Sequence, residues 1–487
     1  MDEDRTLENG DSPPPTIDAV AVHHRTSLQE EGIQQNVGEV HKNGRQRKHA
    51  PRPSEHDSYN RGIGAVVDAY CHNMESIHVT LPLIMRFLQG IHKNIRTEFS
   101  KVRDAQGKIL ETEEKYQVVA FPIQYGLRAE RLALRLRNLS TTRRLLPPTL
   151  LTTMVSQYDS FLSRLIATIF YLKPEMVSSS ERKLTFSELM EFGTIENARS
   201  YIIEKEIEGV MRENHSKQFD WLEGRIGLKL RSDLPAWPLF IEITERRNLF
   251  THTDGIVSTQ YREVCRRHNV DIDEGAEVGQ KLSVNQKYLQ RAYRTLVEIG
   301  VKLAHVVWRK LDPKNREGAD QNLNQISFDL LKRADYELAK VLLDFAVDLK
   351  RWHSDLYRRM FIVNRAQAYK FGDQNEKAQE ILNDEDWSSV GKRFLICIET
   401  LRDNYDQASE LMKELGKSGE MRKAEFAAWP VFKEFRKTSE FKRAYQDTYG
   451  EEFTISTTAD KASMEIDPST GNADEPALQL QQTESRA

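Results

Sequence analysis

The chain has 487 residues, which is enough for two to four domains with sizeable hydrophobic cores. It carries 70 basic and 74 acidic residues, so its formal net charge of −4 does not mark it as a nucleic-acid binder. Both ends are acidic, and residues 61–454 alone are mildly basic. That balance is compatible with an RNA partner and does not by itself argue for one.

Cysteine usage and hydropathy exclude two further classes. Cys71, Cys265 and Cys397 lie far apart and form no Cys-x-x-Cys pair, which argues against a disulfide framework or a zinc site and fits a reducing cytosol. The longest strongly apolar run, residues 165–172, is too short to cross a bilayer. No signal peptide is visible at the acidic N-terminus. We therefore predict a cytoplasmic protein with no membrane association.

The first 146 residues divide into a tail and a helical region. Residues 1–60 contain Ser-Pro-Pro-Pro and few large apolar residues, which predicts a disordered tail. Residues 61–146 show apolar positions at helical spacing, including a long amphipathic helix from Thr112 to Leu139. We expect Pro147-Pro148 to stop the helix and mark a domain boundary.

Arginines concentrate toward the end of this helical region. A solvated helix face is the simpler interpretation, and contact with an RNA backbone is the alternative. These arginines form the most basic surface that the sequence predicts: Arg128, Arg131, Arg135, Arg137, Arg143 and Arg144.

The next segment, residues 147–311, is predicted to be a helical bundle. Apolar periodicity and turn residues place its helices at 149–172, 186–192, 196–222, 236–252, 256–267 and 285–311. The fourth of these contains the sequence AWPLFIEITERRNLFTHTDG, residues 236–255, on which the functional hypothesis depends. Thr253-Asp254-Gly255 is typical of a turn, so we expect the helix to end at or just after His252.

Arg247, Asn248 and His252 carry the chemistry of this helix. Arginine offers a planar fork of donors that matches a phosphate, and histidine exchanges protons near neutral pH. Asn248 and His252 are four residues apart and share a helix face, so Asn248 is placed to orient the imidazole or to hold a ribose hydroxyl. Such a group suits attack of an RNA 2′-hydroxyl on its own phosphate without a metal.

Arg-Asn-x-x-x-His at the end of an amphipathic helix resembles the signature of the HEPN family of helical domains. The resemblance covers about residues 149–270. It implies a metal-independent endoribonuclease with no cofactor, in which Arg247 and His252 are the catalytic pair and Asn248 a polar third residue. It also implies a homodimer whose two motifs face one cleft. We assign the adjacent Arg246 to substrate binding.

Other chemistries find less support. There is no phosphate-binding Gly-x-x-x-x-Gly-Lys loop, no Gly-x-Ser-x-Gly elbow and no His-Glu-x-x-His pair, so no metal site is predicted. His215 is a candidate second proton donor, but a lone helical histidine more often fills a surface or core position. We therefore leave it out of the predicted site.

Residues 312–325 are polar and turn-rich and are predicted to be a linker. Residues 326–453 follow as helix–turn–helix pairs, in which Ala339, Ala378 and Ala408 recur at offsets of 39 and 30. This loose period resembles degenerate tetratricopeptide repeats, which implies a surface that binds a protein partner. A plain helical accessory domain is the alternative. Residues 454–487 are predicted to be a disordered acidic tail.

Two hypotheses from different classes follow. The first is an endoribonuclease whose repeat domain recruits a partner. The second is a non-catalytic scaffold in a defence or signalling complex. An enzyme requires Arg247 and His252 to be exposed in a common cleft flanked by basic residues. A scaffold would bury them, or pair Arg247 with an acid such as Glu242 or Glu245.

Overall fold

The computed structural model describes residues 62–112, 117–176, 184–232, 234–272 and 276–454. Sixteen α-helices and one two-stranded hairpin occupy these ranges, which confirms the predicted all-α class. The chain divides into two compact units, one ending at Phe361 and one beginning at Ile362. The predicted tails, residues 1–60 and 454–487, lie outside the described residues except for Thr454.

The first unit begins with a long helical hairpin. Helix α1 (Gly62–Gln106) leads through strands β1 (Lys108–Thr112) and β2 (Gln117–Ala120) into helix α2 (Ile123–Leu172). The two strands pair antiparallel. The predicted helix over 112–139 is therefore wrong at its start, because the chain turns as a β-hairpin there.

Helix α2 also runs through Pro147 and Pro148, so the predicted stop at this pair is wrong. Each proline removes one backbone N–H from the helix. The helix persists because α1 packs against it on both sides of the prolines. The Asn73 amide donates to Gln157 Oε1 (2.9 Å) on one side, and Ser140 Oγ lies 3.3 Å from His92 Nε2 on the other.

The core of this unit lies where α1 and the second half of α2 meet helix α8 (Gln286–Leu311). A Cβ on Gly300 would lie 2.5 Å from the ring of Tyr70, so glycine is required for this close approach. The Tyr70 hydroxyl donates to the Leu296 carbonyl oxygen at 2.8 Å. These contacts fix the bundle on which the motif helix rests.

The remaining helices of the first unit follow in chain order. They are α3 (Phe186–Phe192), α4 (Ile195–Met211), α5 (His215–Ile226), α6 (Trp237–His252), α7 (Thr259–Arg267), α8, α9 (Arg316–Lys332) and α10 (Tyr336–Val347). The single helix predicted over 196–222 is two helices, because Asn214 caps α5 by accepting from the Lys217 N–H.

The predicted linker over 312–325 is also wrong. A 3₁₀ turn at Pro313–Asn315 leads directly into α9, where Ala319 and Leu323 are fully buried. One acidic residue of this segment has its partners inside the unit. Asp320 is fully buried, pairs with Arg309 at 2.7 Å and accepts from the His353 N–H at 2.6 Å.

Helix α11 (Asp355–Phe371) contains the division between the units. The second unit continues with α12 (Asn375–Asn383), α13 (Lys392–Leu401), α14 (Tyr405–Ser418), α15 (Lys423–Ala428) and α16 (Ser439–Tyr449), with 3₁₀ turns at Pro430–Phe432 and Phe435–Lys437. Aromatic residues including Phe426, Phe432, Phe435 and Phe441 fill its core.

One turn geometry recurs three times between consecutive helices. A non-glycine residue with positive φ occupies each turn: Ala334 (58°), Asp373 (61°) and Asp403 (59°). Five residues after each lies a fully buried alanine: Ala339, Ala378 and Ala408. The alanine period seen in the sequence thus coincides with a repeated helix–turn–helix junction. Its assignment to the tetratricopeptide class stays a prediction.

No helix of the described ranges combines the length and apolarity needed to cross a bilayer.

Candidate functional site

Helix α6 carries the predicted motif and ends at His252, which confirms the expected boundary. The N–H groups of Thr253 (2.8 Å) and Gly255 (3.0 Å) both donate to the Leu249 carbonyl oxygen and close the last turn. Asp254 and Gly255 have positive φ values of 51° and 82°, which reverse the chain direction.

The turn after α6 is pinned to the segment that precedes α8. The Val257 N–H donates to Gln280 O at 2.8 Å, and the Leu282 N–H donates to Gly255 O at 2.9 Å. A Cβ on Gly255 would lie 2.5 Å from the Phe250 ring, so a side chain at this position would displace the ring. The motif helix therefore ends in a constrained turn.

Arg246 lies inside the protein, with only 4% of its surface exposed. Its Nε donates to Glu242 Oε1 at 2.5 Å, and its guanidinium stacks on the Tyr288 ring at 4.2 Å. Glu242 also accepts from the hydroxyls of Tyr261 and Tyr288, both at 2.6 Å. Arg246 is thus committed to a buried network, and we do not retain the predicted substrate-binding role for it.

Arg247, the next residue, reaches a different partner. Its Nη2 lies 3.3 Å from Asp159 Oδ2 of α2, and its side chain is 21% exposed. Its Nε is shielded from solvent and has no hydrogen-bond partner among the described residues. Asp159 is 27% exposed, and its other oxygen lies 3.0 Å from Nε2 of His215 on α5. One carboxylate therefore bridges an arginine and a histidine.

The rest of this cluster is partly apolar. The His215 ring packs against the rings of Tyr158 and Phe240, with centroids 5.9 and 5.3 Å away. Glu245 lies close by, and burial raises the pKa of its carboxyl. The charge of His215, a hydrogen bond from Asn248 and the charge of Arg247 lower this pKa and offset part of the rise. The Asn248 side chain is thus hydrogen-bonded to Glu245.

His252 stands at the exposed end of α6, and no hydrogen bond or ion pair engages its ring among the described residues. Positions 247 and 252 are separated by about 7.5 Å along a helix axis and about 140° around it. Arg247 and His252 are not in contact in this structure. The common cleft that an enzyme requires is not formed by these two side chains within one chain.

Sequence reasoning missed Asp159 and set His215 aside. A signal for Asp159 was present: it is the only acid between residues 149 and 172, on a helix whose other side chains include many buried apolar residues, and a partly buried acid favours a partner. What the sequence could not show is that α5 and α6 bring His215 and Arg247 to that acid. No cluster of three or more His, Cys, Asp or Glu side chains suited to a metal occurs in the described ranges.

Comparison of the chain with protein-family models, with curated proteins and with solved structures finds no significant match. The site is therefore interpreted from its own geometry.

Proposed function

We propose that the protein is a metal-independent endoribonuclease whose site is built on the end of helix α6. The observation that carries the proposal is that one constrained helix end carries an exposed His252 and a partly exposed Arg247, which do not touch each other. Asp159 holds Nη2 of Arg247, and Nε is shielded from solvent, so the exposed 21% of the side chain is the part that a phosphate can reach. A guanidinium held in this way suits a phosphate, whose charge it stabilises as it develops.

The chemical roles follow from the geometry. Arg247 binds the scissile phosphate, and His252 exchanges a proton with the attacking 2′-hydroxyl or the leaving 5′-oxygen. Because the two side chains are far apart around α6, we propose that a second copy of the chain supplies the complementary residue. The predicted homodimer, with two motifs facing one cleft, would satisfy this requirement. Asp159 and His215 then act as a support that fixes the direction of Arg247.

The test is cleavage of a single-stranded RNA in EDTA, with analysis of the product ends. We expect 2′,3′-cyclic phosphate and 5′-hydroxyl ends. Arg247→Ala and His252→Ala should each lower the rate by about 100-fold or more, since each removes a transition-state contact. His72→Ala removes an exposed helical histidine elsewhere and serves as the matched control, which should cut at the wild-type rate.

A second candidate is a non-catalytic binding protein, and one observation favours it. Arg247 is paired with an acid and makes no contact with His252. Folded protein that leaves RNA intact would support this candidate over the enzyme. Cleavage only with added metal, at equal rates in both variants, would reject the metal-independent mechanism. Its partner would then be a protein bound by the helical pairs after residue 326, as the sequence predicts.

A further inference from the structure

A cleft of about 570 Å³ lies beside the end of the motif helix. Its walls come from the proline-containing part of α2, from the end of α6 with its turn, and from the segment before α8. This volume lies in the range of small-molecule sites, which run from about 300 to 1,000 Å³. The cleft is thus large enough to hold a unit of a polymer such as a nucleotide.

The cleft is basic. Arg143, Arg144 and Lys281 line it together with one acid, Asp254. Lys281 forms an ion pair with Asp254 and lowers the pKa of its carboxyl. Arg144 lowers the same pKa by a smaller amount. The guanidiniums of Arg143 and Arg144 form no hydrogen bond or ion pair within the described ranges, and Arg143 Nε is shielded from water without a partner. Two cations are therefore available to an anionic ligand.

The prolines add acceptors to the same wall. Pro147 and Pro148 have no N–H, so the carbonyl oxygens of Arg143 and Arg144 lack their usual partners four residues on. Phe250, which is half-buried, also lines the cleft with its aromatic ring, and the absence of a side chain at Gly255 leaves room for that ring. The cations suit a phosphate, and the free carbonyl oxygens suit a ribose hydroxyl or an amino group. The aromatic ring suits stacking on a base.

The cleft also adjoins His252. Phe250 and Asp254 line it, and each lies two residues from His252. Consecutive Cα atoms are 3.8 Å apart, so the His252 Cα lies within about 7.6 Å of each of theirs. The His252 backbone therefore lies near the cleft, while its side chain is not part of the cleft wall.

We propose that this cleft binds the phosphodiester backbone of single-stranded RNA next to the scissile phosphate. Arg143 and Arg144 bind backbone phosphates, and Phe250 stacks on a base. The inference rests on the proposed function for the direction of the strand. Binding itself does not depend on cleavage, and the two can be tested separately.

The experiment measures fluorescence anisotropy of a labelled 12-residue 2′-O-methyl RNA, which lacks the attacking hydroxyl and cannot be cut. Arg143→Ala/Arg144→Ala should raise Kd about 10-fold. The plot of the logarithm of the association constant against the logarithm of salt concentration should also become less steep, by about 1.4, as expected for two lost phosphate contacts on a single strand. Arg86→Ala/Lys93→Ala is the matched control, since it removes the same charge from exposed positions of α1 outside the cleft.

Three results would overturn the proposal: no binding by wild type, an equal loss in the two double variants, or equal competition by uridine monophosphate and the oligomer. A 12-base-pair duplex that binds as tightly as the single strand would also count against it. If circular dichroism shows that the cleft variant is unfolded, the exposed Arg144→Ala alone should still raise Kd about threefold. Binding through the cleft by a protein that cuts no RNA would leave this inference standing and reject the proposed function.

Discussion

Arg246 and Arg247 are consecutive residues of one helix, and their guanidiniums lie in contrasting environments. Arg246 is almost fully buried. Its guanidinium and the hydroxyls of Tyr261 and Tyr288 all donate to the Glu242 carboxylate. Arg247 is partly exposed, touches Asp159 at 3.3 Å and leaves Nε without a partner. The difference teaches that position on the helix buries one arginine in a polar network and leaves the next one partly exposed beside a single carboxylate.

The largest effect should come from the buried network. Glu242→Ala removes the carboxylate that accepts from Arg246 and from two tyrosine hydroxyls, so the buried Arg246 cation loses this negative charge and keeps the Ser283 carbonyl oxygen at 3.3 Å. We expect the free energy of unfolding to fall by about 3–5 kcal/mol. Urea unfolding followed by tryptophan fluorescence measures this change. A loss below about 1 kcal/mol would show that the network does not stabilise the fold.

Exchange of each arginine for lysine tests the comparison directly. Arg246→Lys loses the stacking on Tyr288 and the fork geometry, so stability should fall by about 1–3 kcal/mol. Arg247→Lys should change stability by less than about 1 kcal/mol, because its ion pair is partly exposed, while the proposed RNA cleavage falls about tenfold or more. Parallel denaturation and cleavage assays separate the two effects. A larger loss of stability in Arg247→Lys than in Arg246→Lys would contradict the different roles assigned to the two arginines.

Asp159→Asn should weaken the support beneath Arg247. The amide keeps the shape and loses the charge that attracts both Arg247 and His215. We expect kcat of the proposed cleavage to fall about tenfold with little change in KM, because Asp159 positions the arginine and does not touch the substrate. Asp159→Glu, which restores the charge, should recover part of kcat. Identical kinetics in the two variants would remove Asp159 from the site.

The smallest effect concerns pH. Burial raises the pKa of Glu245 above its ordinary value of 4.5, so the folded state binds this proton more readily than the unfolded state. Stability should therefore fall as pH rises from about 4.5 through the raised pKa. Glu245→Gln has no such proton, and its unfolding free energy should vary less over this interval than that of the wild type. Urea unfolding at several pH values measures the difference, and an unchanged slope would assign the pH dependence elsewhere.

Apolar spacing and turn residues were sufficient to predict the fold class, the end of α6 at His252 and helix α8, because these depend on local periodicity and local chain reversal. They failed at Pro147-Pro148 and at residues 312–325, where packing against other helices overrides local preference. The Asp159–His215–Arg247 cluster joins α2 to the consecutive helices α5 and α6, which follow much later in the sequence. The spacing of residues along the chain does not predict such contacts.

The most direct measurement is the cleavage of single-stranded RNA in EDTA by Arg247→Ala, with its urea unfolding curve measured alongside. We predict a rate at least about 100-fold below wild type and a free energy of unfolding within about 1 kcal/mol of it. Cleavage at the wild-type rate would contradict the proposed role of Arg247. A loss of stability as large as that expected for Glu242→Ala would show that Arg247 is another structural arginine.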